Sequence, residues 1–329
     1  MANEIATQNK FTTAVSEWSN SITQLVERDY TACGVTFDEY SKQCAMAAMT
    51  SIYQLVKGAG TELKTMDTSN LREIVGQCAS LKLNANAVPR ECYFQLRKKK
   101  VGNNWVQIVE MGIEGDGNDA ILRNFGENVD MVYPVWIVKE GDTYTPPKHK
   151  GVEIVPPEWE ENGLSQKTVR VVYPVKLKDG SVTYLTADRE SVKVNLFAHI
   201  RNNLMNETFG ICENRYKATD KQLEEIKKRK ESIFESLRKC ETLEDMLSCE
   251  VARPYISAAW LDTPEAMIIR KMRNNAIKKY KKNYDAMAKT AYLQMDETYQ
   301  AAQAEVAENQ NSEDFVEPTI DEDGQATLF

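Results

Sequence analysis

The chain has 329 residues, with 41 Lys and Arg against 49 Asp and Glu, and a formal net charge of −8. Hydrophobic residues make up 42% and no apolar run is long enough for a transmembrane helix, so one large or two smaller soluble domains are expected. Seven scattered cysteines without a CxxC pair, and a start (Met1-Ala-Asn-Glu-Ile5) lacking a basic and apolar leader, predict a reduced, cytoplasmic protein.

The elements follow in order. Val15, Trp18, Ile22 and Val26, then Ala45, Met49, Tyr53 and Val56, recur at helical spacing and predict two helices over Gln8–Gly58, broken at Cys33-Gly34-Val35. A third helix starts at the capping cluster Thr68-Ser69-Asn70, with Glu73 three residues on, and stops near Leu83–Asn86. From Glu91 the period becomes two. Cys92–Leu96 and Trp105–Met111 flank Arg97–Asn104, a hairpin with a basic tip. A short helix, Asn118–Phe125, closes at Gly126. Strands are expected over Val129–Val138 and Lys148–Val155, with a turn at Glu140-Gly-Asp142. Val169–Lys176 and Ser181–Thr186 form a hairpin about Lys178-Asp179-Gly180. Helices return over Glu190–Met205, Thr219–Lys239, Leu243–Leu247 and Thr263–Lys289; the charged run Lys217–Lys239 reads as a surface insertion. The fold class is α+β, a strand meander backed by helices.

Charge is divided unevenly. From Asp296 to Phe329 there are ten acidic and no basic residues, which predicts a disordered acidic tail. The remaining 295 residues carry 41 basic and 39 acidic groups, a net of +2. Within them Pro264–Lys289 concentrates eight cations against Glu265 and Asp285. A basic helix and a separate acidic tail suit a polyanion binder.

The chain has no GxxxxGK[ST] phosphate loop, and Gly112, Gly115 and Gly117 are in the wrong order for a dinucleotide fingerprint; a strand-to-helix turn explains them. Two histidines, His149 and His199, leave few options for a triad. The acidic loop 114–119, with Glu114, Asp116 and Asp119, suggests an alternative, a magnesium-dependent nuclease. Cys78 and Cys92 fall on buried faces. The hairpin offers Arg97, Lys98, Lys99 and Lys100 beside Arg90, Tyr93, Phe94 and Trp105, the mixture of cations and aromatic faces that single-strand binding uses. On the last basic helix, Met267, Met272, Ala276 and Tyr280 make a core stripe and leave Arg270, Arg273, Lys278 and Lys281 on other faces.

Several of these blocks, taken in order, resemble the RecT-type phage recombinases. They are Gln77–Phe94, Val106–Gly117 with Ala120–Gly126, Val132–Val138 with Glu140-Gly-Asp142, Lys178-Asp-Gly180 with Glu190-Ser-Val192, and Trp260–Lys271. The similarity spans Leu71–Tyr280. Lys82 stands where the family has Gly, Arg270-Lys271 replaces its Lys-Thr, and Lys217–Lys239 lengthens the link to the last helix.

The resemblance implies a core similar to the Rad52-type annealers and ATP-independent annealing of complementary DNA strands, without bond chemistry or cofactor and with magnesium assisting. It implies a homo-oligomer, ring or helical filament, on single-stranded DNA and the annealed duplex, with a phage exonuclease as partner. The expected organisation is an N-terminal helical region for oligomerisation (1–70), an annealing core (71–292) and the tail (293–329). The expected DNA contacts are Arg90, Tyr93, Lys98, Lys99, Lys100, Trp105, Arg123, Arg270, Lys271, Arg273 and Lys278. The end of the tail, Gln325-Ala-Thr-Leu328-Phe329, resembles peptides that dock on the sliding clamp or on the partners of single-strand-binding protein. A replication or recombination scaffold without annealing activity is the remaining alternative.

Overall fold

Apolar residues at helical spacing set the first three elements. In a computed structural model, which describes residues 2–101, 104–213, 218–295, 319–320 and 326–327, helix α1 (Ala2–Ala32) buries Ile22, Val26 and Tyr30. Helix α2 (Glu39–Gly58) buries Cys44, Ala48, Met49, Ile52 and Val56. Gly34, at φ +69°, makes the expected break. Helix α3 (Thr68–Ser80) is capped by Asp67, whose carboxylate accepts from the Ser69 and Asn70 amides. Asn70, the expected cap, lies inside the helix and bonds both backbone groups of Val109 instead. The helix ends before the expected Leu83 because Lys82 takes φ +53° and the Leu83 amide turns back to the Cys78 carbonyl.

Strands β1 (Cys92–Val101) and β2 (Asn104–Ile113) pair antiparallel along their whole length. Arg97–Lys100 are therefore strand residues, not a tip; the connection, 102–103, lies outside the described residues. Helix α4 (Gly115–Phe125) begins three residues before the expected Asn118, so the acidic loop is its first turn. The apolar run after it is two strands, β3 (Val129–Val132) and β4 (Trp136–Lys139). Pro134 lies between them and has no N–H for a ladder.

An arm follows, of β5 (Thr143–Thr145), β6 (Lys148–Lys150), β7 (Glu153–Val155) and β8 (Glu158–Glu160). β5 pairs with β8 and β6 with β7, so the strand expected over Lys148–Val155 folds back on itself at Gly151, φ +65°. β9 (Thr168–Leu177) is the centre of the main sheet. It pairs with β10 (Val182–Asp188) on one side, and with β3 and β4 end to end on the other, all antiparallel.

The C-terminal helices are α5 (Lys193–Leu204), α6 (Asp220–Arg238), α7 (Leu243–Leu247), α8 (Ala258–Asp262), α9 (Pro264–Lys278) and α10 (Ala286–Met295). The basic helix expected over Thr263–Lys289 is thus two helices. Lys282, between them, donates to the carbonyls of Ile277 and Tyr280 at the end of α9. α6 is more than a surface insertion, since it buries Ile226, Ile233 and Leu237 and sets Phe234 against Phe197. Among the described residues no helix is long and apolar enough to cross a membrane.

Two apolar clusters result. One joins α1, α2 and α3 to the hairpin, α4 and α10; the other joins the main sheet to α5–α9. The expected boundary at residue 70 does not divide the packing, because α1 and α2 share a core with residues beyond it. The boundary at 292 falls inside α10. Helix α4 belongs to both clusters: Ala120, Ile121 and Phe125 face the first and Leu122 the second. Close packing at its start and in the strand before it requires glycine. A Cβ on Gly117 would lie 2.0 Å from the Glu91 carbonyl oxygen, and one on Gly112 2.2 Å from the Tyr93 ring. Gly117→Ala should therefore cost about 1–3 kcal/mol by urea unfolding. Gly76→Ala in α3, where nothing lies within 4 Å, should gain about 0.5–1 kcal/mol.

Candidate nucleic-acid interface

The first turn of α4 brings carboxylates to the side of α9, and α9 answers with two arginines. Arg273 donates from Nε to the Tyr173 hydroxyl (2.7 Å), and from Nη2 to Asp119 Oδ2 (2.7 Å) and Asp116 Oδ1 (3.1 Å). The Tyr173 hydroxyl donates in turn to Asp119 Oδ1 at 2.7 Å. Burial pushes the Asp119 carboxyl above the usual carboxylate range, against the opposing pull of Arg273 and the Tyr173 hydroxyl. One turn earlier, Arg270 donates to the Ile113 carbonyl at 2.5 Å and lies over the Tyr93 ring, 5.1 Å from its centroid. Its Nη1 is 3.8 Å from Glu114.

This geometry redistributes the expected DNA contacts. The Arg273 side chain is 14% exposed and already neutralised by two carboxylates. Lys271 is 8% exposed, on the buried side of α9. Arg270 lies over one face of the partly buried Tyr93 ring and Gly112 packs close to it, so that face is not open to a base. Asp116 and Asp119 both bond Arg273, so a guanidinium stands where a nuclease would hold its cation. Lys278 is exposed at the end of α9, and Arg90 is exposed just before the hairpin. Arg123 is half-exposed, 3.5 Å from the buried carboxylate of Glu91.

The outer half of the hairpin differs. Strand alternation divides its cations between two faces. Lys98 and Lys100 take positions on the face that carries Phe94 and Leu96 toward the core, paired with Gln107 and Trp105. Arg97 and Lys99 take the opposite face, paired with Ile108 and Val106, and Arg97 forms a 2.8 Å ion pair with Glu110. Beyond the core, a groove of about 620 Å³ opens between the hairpin and the helical turn Leu63–Thr65, lined by Thr65, Lys98, Val106 and Gln107. Lys98 is exposed there and makes no ion pair among the described residues. Thr61 donates to the Gln107 side chain at 3.4 Å.

The two ends of the hairpin are set differently. Its root is fixed by Arg270 on Ile113 and by the Glu114 amide on the Glu91 carbonyl. Asn70 seals the outer edge of β2 at Val109. The outer half is held by its own ladder.

Thr65 and Gln107 are groove residues that the sequence reading missed. Gln107 was accessible: a two-residue Gly102-Asn103 connection implies the register that places it opposite Lys98. Gln325, Leu328 and Phe329 lie outside the described residues. No family model, no curated protein and no solved structure matches the chain.

Two outcomes follow from α9. Arg273→Gln leaves a buried carboxylate without its cation and should cost about 3–5 kcal/mol by urea unfolding. The pair Arg273→Met and Asp119→Asn should cost less than the sum of the single changes. Burial holds the Lys282 ammonium down to about 8, against 10.5 for a free lysine. Between these values the unfolded chain binds more protons, so this residue makes stability rise with pH through that window. Lys282→Met should remove that rise, read as the difference between parent and variant from pH 7.5 to 9.5.

Proposed function

We propose that the protein binds single-stranded DNA and anneals complementary strands without ATP, in phage-type homologous recombination. The observation that carries this is the hairpin. It sets Lys98, exposed and without an ion pair among the described residues, over an open groove lined by Thr65, Val106 and Gln107. A groove that offers a point charge suits a polyanion, because phosphate contacts release counterions while leaving base edges open to a second strand. The Rad52-type likeness of the core belongs to the same proposal. It is supported by the antiparallel main sheet that shares a core with helices, and by Lys82, which takes a left-handed backbone at the place where the resemblance has Gly.

In this reading Lys98, Lys99 and Lys100 contact phosphates, Trp105 and Gln107 lie beside the strand, and Arg90, Arg123 and Lys278 contribute at the periphery. Arg270, Arg273, Lys271 and Tyr93 support the interface from within. Annealing makes and breaks no covalent bond, so no catalytic residue is assigned; magnesium assists by screening the two strands. The working form is a cytoplasmic homo-oligomer, ring or filament, fed by a phage exonuclease, with the tail's end as a docking peptide for the clamp or for partners of single-strand-binding protein.

Labelled complementary oligonucleotides with magnesium and no ATP should yield full-length duplex. Shortened strands would favour a nuclease, and absence of duplex would overturn annealing. Lys98→Gln with Lys100→Gln should weaken binding of a thymidine oligonucleotide several-fold and reduce the salt slope by about 0.7 per lost contact. An unchanged slope would remove the groove from the interface.

A further inference from the structure

The groove has an occupant of suitable charge within its own chain. Residues 296–329 carry ten carboxylates and no cation, whereas the body has a net charge of +2. The tail follows Met295, on a helix packed against α3. Helix α10 ends at Met295 and is held to α3 by Ala288 and Ala291 in the shared core, and by Gln77 donating to Gln294 at 2.7 Å. Seven residues back along α3, about 10 Å at 1.5 Å per residue, Asn70 bonds Val109 of β2. Gln107 of the groove is two strand residues further, about 7 Å.

A segment of 34 residues reaches at most roughly 110 Å when extended. The groove therefore lies within its reach, and covalent attachment raises its local concentration there. The acids around the groove are already committed: Glu62 is paired with Lys64, and Glu110 with Arg97. Lys98 remains for an incoming carboxylate or phosphate.

We propose that the acidic tail docks on the hairpin groove, at Lys98, and competes there with single-stranded DNA. It rests on the annealing function proposed above and adds its regulation. The tail excludes weak, non-specific polyanions at low salt and yields to a strand that engages many subunits at once. Other exposed lysines, Lys148 and Lys150 on β6, stand on the arm, outside the core that anchors α10.

The test uses the full-length chain and a full-length variant with all ten tail carboxylates changed to Asn or Gln. At low salt the neutral-tail variant should bind a thymidine oligonucleotide about tenfold more tightly than the parent. At 0.3 M salt, where screening is strong, the gap should fall below about twofold. A fluorescent peptide of residues 296–329 should bind the neutral-tail variant by anisotropy. That binding should be lost on Lys98→Glu and kept on Lys148→Gln with Lys150→Gln. Equal oligonucleotide affinity for parent and variant at low salt, or peptide binding indifferent to Lys98→Glu, overturns the docking and leaves annealing standing. Peptide binding at Lys98 in a chain that binds no oligonucleotide upholds the docking and overturns annealing.

Discussion

The buried contact of Arg273 with Asp119, Asp116 and Tyr173 is the constraint on which the rest of the molecule depends. Three elements distant in sequence meet at one guanidinium: α9, the first turn of α4, and the central strand β9. Helix α4 is shared between the two apolar clusters, so the contact that fixes α4 against α9 also fixes one cluster against the other. The fork geometry of arginine suits this position, since it satisfies a phenol and two carboxylates at once where a lysine would offer a single point charge. Gly115 is part of the same constraint, because a Cβ there would lie 2.6 Å from the guanidinium.

From that junction the hairpin inherits its position. Arg270, one turn from Arg273, binds the last carbonyl of β2 and stacks on Tyr93 of β1, so the hairpin root is tied to the same helix. Asn70 closes the exposed edge of β2 at Val109, in the way native sheets protect unpaired strands from unwanted pairing. A strand pair anchored at one end and sealed on one edge presents its outer half in a defined place. The groove at Lys98 is thus a product of packing that begins some 20 Å away in the protein's interior, as judged by strand length.

The parts of the fold that the sequence made legible are those with local causes. Helical spacing gave α1, α2 and α3, and the Lys178-Asp179-Gly180 turn gave the β9–β10 hairpin. What it hid has non-local causes. A cation on a helix reads as exposed until its carboxylates are found, and those of Arg273 lie more than 150 residues earlier. The acidic trio of α4 read as a metal site for the same reason, each half of the pairing being interpretable alone as function. The glycines at 112, 115 and 117 read as a turn, whereas their cause is close approach by three different neighbours. The division of α9 from α10 was hidden because Lys279–Lys282 continue the basic composition of the helix without continuing its packing.

The fold uses several arginines as internal ties. Arg189, Arg270 and Arg273 bond acceptors within the body, while Lys230 and Lys271 are buried as well. Arg189 bonds the Thr168 carbonyl, Glu244 and Glu265, which fastens the start of α9 as Arg273 fastens its middle. Lysines fill the strand positions 98–100, of which Lys98 is exposed. Under the annealing function proposed above, this arrangement is physically apt. Guanidinium forks make bidentate contacts that define one geometry, which favours architecture. Ammonium groups on flexible stems hold phosphates as point charges, tolerant of the changes in strand path that pairing requires. The same tolerance makes the lysine groove accessible to carboxylates, so a surface suited to transient phosphate contact is, by its chemistry, also open to competition from an acidic segment of the chain.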